Sequence, residues 1–140
     1  MFNPSRDQAR DFFFQVWDKY RTGRPLSGLE GMALEHMHRH PEYHPVLEQP
    51  ERYRSRDWLP ELGQTNPFLH LAMHLSVAEQ LSIDQPPGVR ACYETLVARL
   101  GDTHAAQHAL MDCMAEMLWH AQRQQRPPDA AAYLDCLETK

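Results

Sequence analysis

With 140 residues, 42 % of them hydrophobic and 24 % charged, the chain has the make-up of one ordinary globular domain that can bury a core without covalent staples. Its net charge is −5 and its basic residues are scattered rather than gathered into a stripe, which excludes a phosphate-backbone binder, so no nucleic-acid partner is expected. The apolar runs are only a few residues long, which excludes a membrane-spanning helix, and the segment from Met1 to Asp7 lacks the basic-then-apolar pattern of a secretory signal.

The elements read as helices throughout. Asn3-Pro4 has the form of an N-cap followed by proline at the first helical position. Ala9, Phe12, Phe13, Val16, Trp17 and Tyr20 then recur as a stripe that ends at Gly23 and Pro25. Ser27-Gly28-Leu29-Glu30 is a capping box opening a second helix, with Leu29, Met32, Ala33, His36, Met37 and His40 on one face and Pro41 closing it. Residues 45–65 carry Pro45, Pro50, Pro60 and Gly63 and form one long irregular connection, with room for short helical turns.

Asn66-Pro67 repeats the opening signal and starts a third helix that runs to about Ile83. Asp84 to Gly88 is a tight break. A fourth helix carries Val89, Tyr93, Leu96, Val97 and Leu100 and closes at Gly101. Asp102 caps a long fifth helix to about Gln125, and Pro127-Pro128-Asp129 starts a short terminal one. No β alternation and no long repeat occurs. The expected fold is therefore all-α: a soluble single-domain bundle of about five to six helices over residues 1–140, with the 45–65 connection laid across its surface.

Cys92, Cys113 and Cys136 are odd in number and widely spaced, with no C-x-x-C among them. That pattern argues against a disulfide framework or a thiolate zinc site and fits a reducing cytoplasm. Histidine is the anomaly. Nine occur: His36, His38, His40, His44, His70, His74, His104, His108 and His120. Four pairs lie four apart (36/40, 40/44, 70/74 and 104/108), where random scattering would give roughly half a pair. On a helix that spacing stacks two imidazoles on one face, about 5–6 Å apart at Cβ, where both can reach one ion.

The 70/74 and 104/108 pairs fall in the first turns of the third and fifth helices. There the positive end of the helix dipole disfavours a charged imidazole and leaves a neutral ring with a lone pair to donate. If successive helices alternate in direction, both pairs and His40/His44 come to one end of the bundle and serve one site. Glu42 and Asp112 are candidate oxygen ligands. Glu116 and His120 lie roughly 12–18 Å along the helix axis from His108, too far to share a mononuclear site with His104. His36 and His38 read as helix-terminal cations, and Met111, Met114 and Met117 as core filling. No nucleophile elbow, P-loop or dinucleotide fingerprint appears.

Five segments carry a resemblance: Met1 to Arg6, His40-Pro41-Glu42-Tyr43-His44, Asn66 to His74, Gln80 to Gly88, and Asp102 to His120. Together they resemble the proteobacterial family designated domain of unknown function 1841, over essentially the whole chain. The resemblance implies a bacterial, cytoplasmic protein and brings no defined activity. In architecture the pattern is also similar to hemerythrin-like and DinB-like bundles, which bind metals through helical histidines, although here the first helix offers Asp7, Asp11 and Asp18 and no histidine.

Taken together, the residues point to a histidine-rich divalent-metal site made of His70, His74, His104 and His108, with His40, His44, Glu42 and Asp112 around it. Mixed imidazole and carboxylate ligation suits iron, zinc or manganese. A metalloenzyme, a metal or oxygen sensor, and a metal-free structural or protein-interaction domain with core histidines all fit this pattern. A homo-oligomer is compatible with it, and no membrane partner is expected.

Overall fold

Helices and turns make up the described part of the computed structural model, residues 6–58 and 66–140, and no strand occurs there, so the chain is all-α as expected. Eight helices are found among these residues: α1 Arg6–Arg21, α2 Gly28–His38, α3 His44–Leu47, α4 Pro50–Tyr53, α5 Pro67–Ile83, α6 Val89–Leu100, α7 Thr103–Gln124 and α8 Ala130–Glu138. The two beyond the expected five to six are α3 and α4. They are single turns inside the stretch read as irregular, and each carries its proline at the first or second helical position. The Asn3-Pro4 signal and residues 59–65 lie outside the described residues. Among the described helices none is long and apolar enough to cross a membrane. The chain divides into two compact units, Met1–Leu75 and Ser76–Lys140.

In the first unit, α1 ends in a Schellman turn. Gly23 takes φ 72° and donates to the Tyr20 carbonyl, and the Arg24 amide reaches back to the Lys19 carbonyl at 2.9 Å. A left-handed residue is required there, and glycine adopts that conformation without a Cβ penalty. The capping box of α2 forms as read: Ser27 Oγ accepts from the Glu30 amide and Glu30 Oε1 accepts from the Ser27 amide. Glu30 also accepts from Lys19 Nζ at 2.7 Å, which ties α2 to α1. The Lys19 bond first, and the Ser27 amide next, hold the Glu30 carboxyl below its usual range. Phe13, Trp17, Met37, Leu47, Phe68 and Leu71 are among the side chains that fill the core of this unit.

Arg10 is buried on α1. Its Nη1 donates to the carbonyls of Tyr53, Arg54 and Arg56 at 3.3, 2.8 and 2.8 Å, and its guanidinium lies 5.1 Å from the ring centroids of both Trp58 and Phe68. Those carbonyls stand at and just after the C-terminal end of α4, where a helix's last acceptors draw donors from elsewhere. Arg10 is the buried member of a set of α1 side chains that hold this segment: Arg6 Nη2 also donates to the Arg56 carbonyl at 3.1 Å, and Asp11 accepts from Arg54 Nε at 3.1 Å.

In the second unit, α7 packs against α6 and α8. Asp102 Oδ2 accepts from the Ala105 amide at the start of α7, and Asp129 Oδ1 accepts from the Ala131 and Ala132 amides at the start of α8. Gly101, at φ 73°, closes α6 with a 2.8 Å bond to the Val97 carbonyl. Tyr133 is fully buried, and its hydroxyl donates to Gln80 Oε1 at 2.7 Å while Gln80 Nε2 donates to Met114 Sδ. Burial, with the Cys92 thiol nearby, pushes the Tyr133 phenol far above its ordinary value, so it stays a donor at any physiological pH.

The cysteine expectation is corrected in this unit. Cys113 of α7 and Cys136 of α8 are joined in a disulfide, with Cα atoms 5.8 Å apart, and Cys92 is the free thiol. Sequence spacing carried no sign of the pairing because the two cysteines meet only when α8 folds back along α7. The disulfide closes a loop spanning 23 positions. Reduction of the metal-free protein should therefore lower its stability by about 3 kcal/mol. A scan of the reduced and oxidised forms should show this as a fall in melting temperature of roughly 10 °C. Equal melting temperatures would mean that the link adds nothing to the hold of α8.

Candidate metal centre

Three histidines of the first unit converge. Asn66 Oδ1 caps α5 by accepting from the Phe68 and Leu69 amides at 3.0 and 3.2 Å, and this sets the helix start so that His70 and His74 occupy its first two turns on one face. After α2 ends, the chain turns at His40 (φ −126°, ψ 66°) into a 3₁₀ turn, Pro41–Tyr43. Proline at the first position of that turn fixes how His40 leaves the helix. The three Nε2 atoms form a triangle: His40 to His74 is 3.2 Å, His70 to His40 is 3.2 Å, and His74 to His70 is 3.1 Å. His74 and His40 are buried, and His70 is half-buried.

The protonation of His40 follows from its other nitrogen. Its Nδ1 lies 2.6 Å from Glu42 Oε1, a distance at which the ring donates and the carboxylate accepts. In neutral His40 the proton is then on Nδ1, and the lone pair is on Nε2, facing the other two rings. A triangle of three imidazole nitrogens cannot be closed by hydrogen bonds alone. Each Nε2 either donates along a single direction or presents one lone pair, so some edges must set like against like. A cation at the centre removes the conflict. Nitrogens 3.1–3.2 Å apart, bound at the usual distance of about 2.0–2.1 Å, subtend angles of roughly 95–105°, between octahedral and tetrahedral values. The donor set therefore fits a divalent transition metal, and the carboxylate behind His40 is the outer-shell partner such a ligand needs.

Aromatic rings wall this triad. Tyr43 stacks on His40 (centroids 5.1 Å apart, planes 13° apart) and meets His70 edge-on at 5.9 Å. Burial first, and the Glu42 charge second, raise the Tyr43 phenol above its ordinary value. His36 of α2, also buried, stacks on His74 at 4.6 Å. Both contacts pack against the faces of the His40 and His74 rings.

His44 and Glu42, in the same unit, do not join the triangle. His44 Nε2 lies 2.9 Å from the Met37 carbonyl, and its ring packs 4.5 Å from Trp17, so its polar edge is committed to the backbone rather than to the triad. Glu42 anchors His40 from behind instead of adding an oxygen to the triangle. In the second unit, His104 and His108 are half-buried in the first two turns of α7, with ring centroids 4.2 Å apart and a ligating nitrogen of one within 4.8 Å of a ligating nitrogen of the other. Asp112 is exposed one turn further along α7. His120 lies 3.8 Å from Glu116, a separate exposed pair. Sequence reading missed the part of His36, which it took for a helix-end cation. Its place four residues before His40, on the buried face of α2, was the available signal.

No curated protein and no solved structure matches the chain. The profile of the family described as "Domain of unknown function (DUF1841)" matches residues 5–139, and the chain belongs to that family.

Proposed function

We propose that this protein binds a divalent transition metal through Nε2 of His40, His70 and His74, and that His104 and His108 act as a second pair of ligands. The observation that carries the reading is the triangle of nitrogens 3.1–3.2 Å apart, one of them fixed as an acceptor by the carboxylate of Glu42. Three imidazoles around one ion leave it further coordination positions, which suits a metalloenzyme or a sensor of a small ligand better than a closed structural site. Iron, zinc and manganese all accept this donor set.

Elemental analysis of protein purified without a nickel resin, joined to the absorption spectrum of the cobalt-loaded form, tests the proposal. Tetrahedral or five-coordinate cobalt bands that respond to added azide would support an open histidine site. Protein that contains no metal and takes up none on dialysis would leave a helical domain with core histidines. Stoichiometry assigns the second pair: with one shared centre, His108→Ala removes the same equivalent of metal that His74→Ala removes, whereas with two centres each variant removes its own.

Metal content should also depend on acid. An imidazole ligand must lose its proton before it binds, so retention should fall on going from about pH 8 to about pH 5, across the ordinary imidazole range near 6.5. Equal content at the two ends would rule out imidazole ligation.

A further inference from the structure

We propose a second, redox-gated metal site in the unit Ser76–Lys140, in which reduction of the Cys113–Cys136 disulfide releases two thiolates that bind a zinc-class ion together with Glu116 and His120. Cys113, Glu116 and His120 stand at positions i, i+3 and i+7 of α7, which places them along one face. Cys136 approaches that face from α8. Its Sγ lies 3.6 Å from Glu116 Oε2, and Glu116 Oε1 lies 3.8 Å from His120 Nε2. Two sulfurs, a carboxylate and an imidazole thus form a continuous chain of donors. His120 is exposed and borders an open groove of about 460 Å³ with Met117, Gln124 and Asp129, so its ring is not fixed by packing.

While the disulfide is closed, neither sulfur is a thiolate, and the carboxylate and imidazole alone make an incomplete site. A dithiol reductant changes this by exchange. Its thiolate attacks one sulfur, the S–S bond breaks through a mixed disulfide, and the second thiol of the reductant completes the transfer of two electrons, so that the protein gains two protons as two thiols. Binding of a divalent ion then displaces those two protons. A tetrahedral ion with Zn–S bonds of about 2.3 Å holds its two sulfurs about 3.8 Å apart. A Cα–Cα distance of 5.8 Å allows that spacing by side-chain rotation.

Charge argues in the same direction. Two thiolates beside the Glu116 carboxylate concentrate negative charge, and a shared divalent cation is the partner that neutralises it.

The test uses the full chain carrying Cys92→Ala, which removes the free thiol as a source of sulfur ligation. The protein is stripped with chelator and titrated with cobalt, once oxidised and once reduced with a phosphine. The reduced form should take up about one more equivalent than the oxidised form and develop the near-ultraviolet charge-transfer band of thiolate–cobalt bonds. Cys136→Ser should abolish that band. Glu116→Ala and His120→Ala change exposed residues that do not threaten folding, and each should weaken uptake about tenfold or more. The band should persist in His74→Ala, so failure of the histidine centre and failure of this site are read separately. Equal cobalt uptake by the two redox forms, or extra uptake without the sulfur band, would overturn the proposal.

Discussion

Replacing His74 with alanine should remove the stability that metal at the triangle gives this protein. His74 is 1 % exposed, and its Nε2 stands 3.1 and 3.2 Å from those of His70 and His40. Without it the triangle keeps only two of its three nitrogens. The informative quantity is the difference in melting temperature between the metal-loaded and stripped forms of each variant, because alanine also leaves a cavity that lowers both. For wild type, metal at about a thousand times its dissociation constant adds about 4 kcal/mol to the native state, and that increment should vanish in His74→Ala. Glu42→Gln should give an intermediate result, since it keeps all three nitrogens but weakens the anchor on His40 Nδ1, and affinity should fall about 10–100-fold while metal still binds at saturation. If His74→Ala retains the wild-type increment, the triangle is a hydrogen-bonded core feature and the metal assignment fails.

What the sequence could reveal was what depends on nearby residues. The Ser27–Glu30 box, the Asn66 cap, the Asp102 cap and Asp129 before α8 all lie where a local hydrogen bond between a side chain and an amide a few residues on dictates a helix start. The pairing of His70 with His74 is of the same kind, because helical geometry alone brings i and i+4 together. The entry of His40 into the same triangle was legible only as direction, from a helix that ends just before Pro41. The part of Glu42 was not legible, since spacing alone cannot tell a ligand from the group that orients a ligand.

Two features stayed hidden because they depend on chain reversal. The single turns α3 and α4 are too short to show a hydrophobic period, and what fixes the stretch after α4 are side chains of α1, Arg6, Arg10 and Asp11, more than 40 positions earlier in the chain. The Cys113–Cys136 link likewise requires the antiparallel return of α8, which neither cysteine announces. The composition rule that disfavoured disulfides weighs their number and spacing, and two cysteines on facing helices satisfy no such pattern.

Arg10→Met should destabilise the first unit by about 3–4 kcal/mol, through the loss of a buried cation's hydrogen bonds rather than of apolar contact. Methionine keeps most of the stem that packs beside Trp58 and Phe68, so the hydrophobic part of the interaction is largely preserved. What disappears is the buried donor to three carbonyls at 2.8–3.3 Å around the end of a single-turn helix, of which only that of Arg56 keeps a second side-chain donor, Arg6. Burial first, and the neighbouring Arg6 charge second, pull the Arg10 guanidinium below its ordinary value, but a guanidinium remains protonated under any native condition, so the donor is present in wild type at all working pH. Arg10→Lys tests geometry against charge. An ammonium restores the positive charge but not the planar fork that lies against two rings, so lysine should recover less than half of the loss. Urea denaturation gives the magnitude, and limited proteolysis gives the place: cleavage in Arg10→Met should concentrate in residues 44–58, where α3 and α4 lose their tether, before the rest of the unit opens. If Arg10→Met unfolds at the wild-type urea concentration, or if cleavage is spread evenly along the chain, the tether does not hold this segment and its stability comes from the apolar contacts of Leu47 and Tyr53.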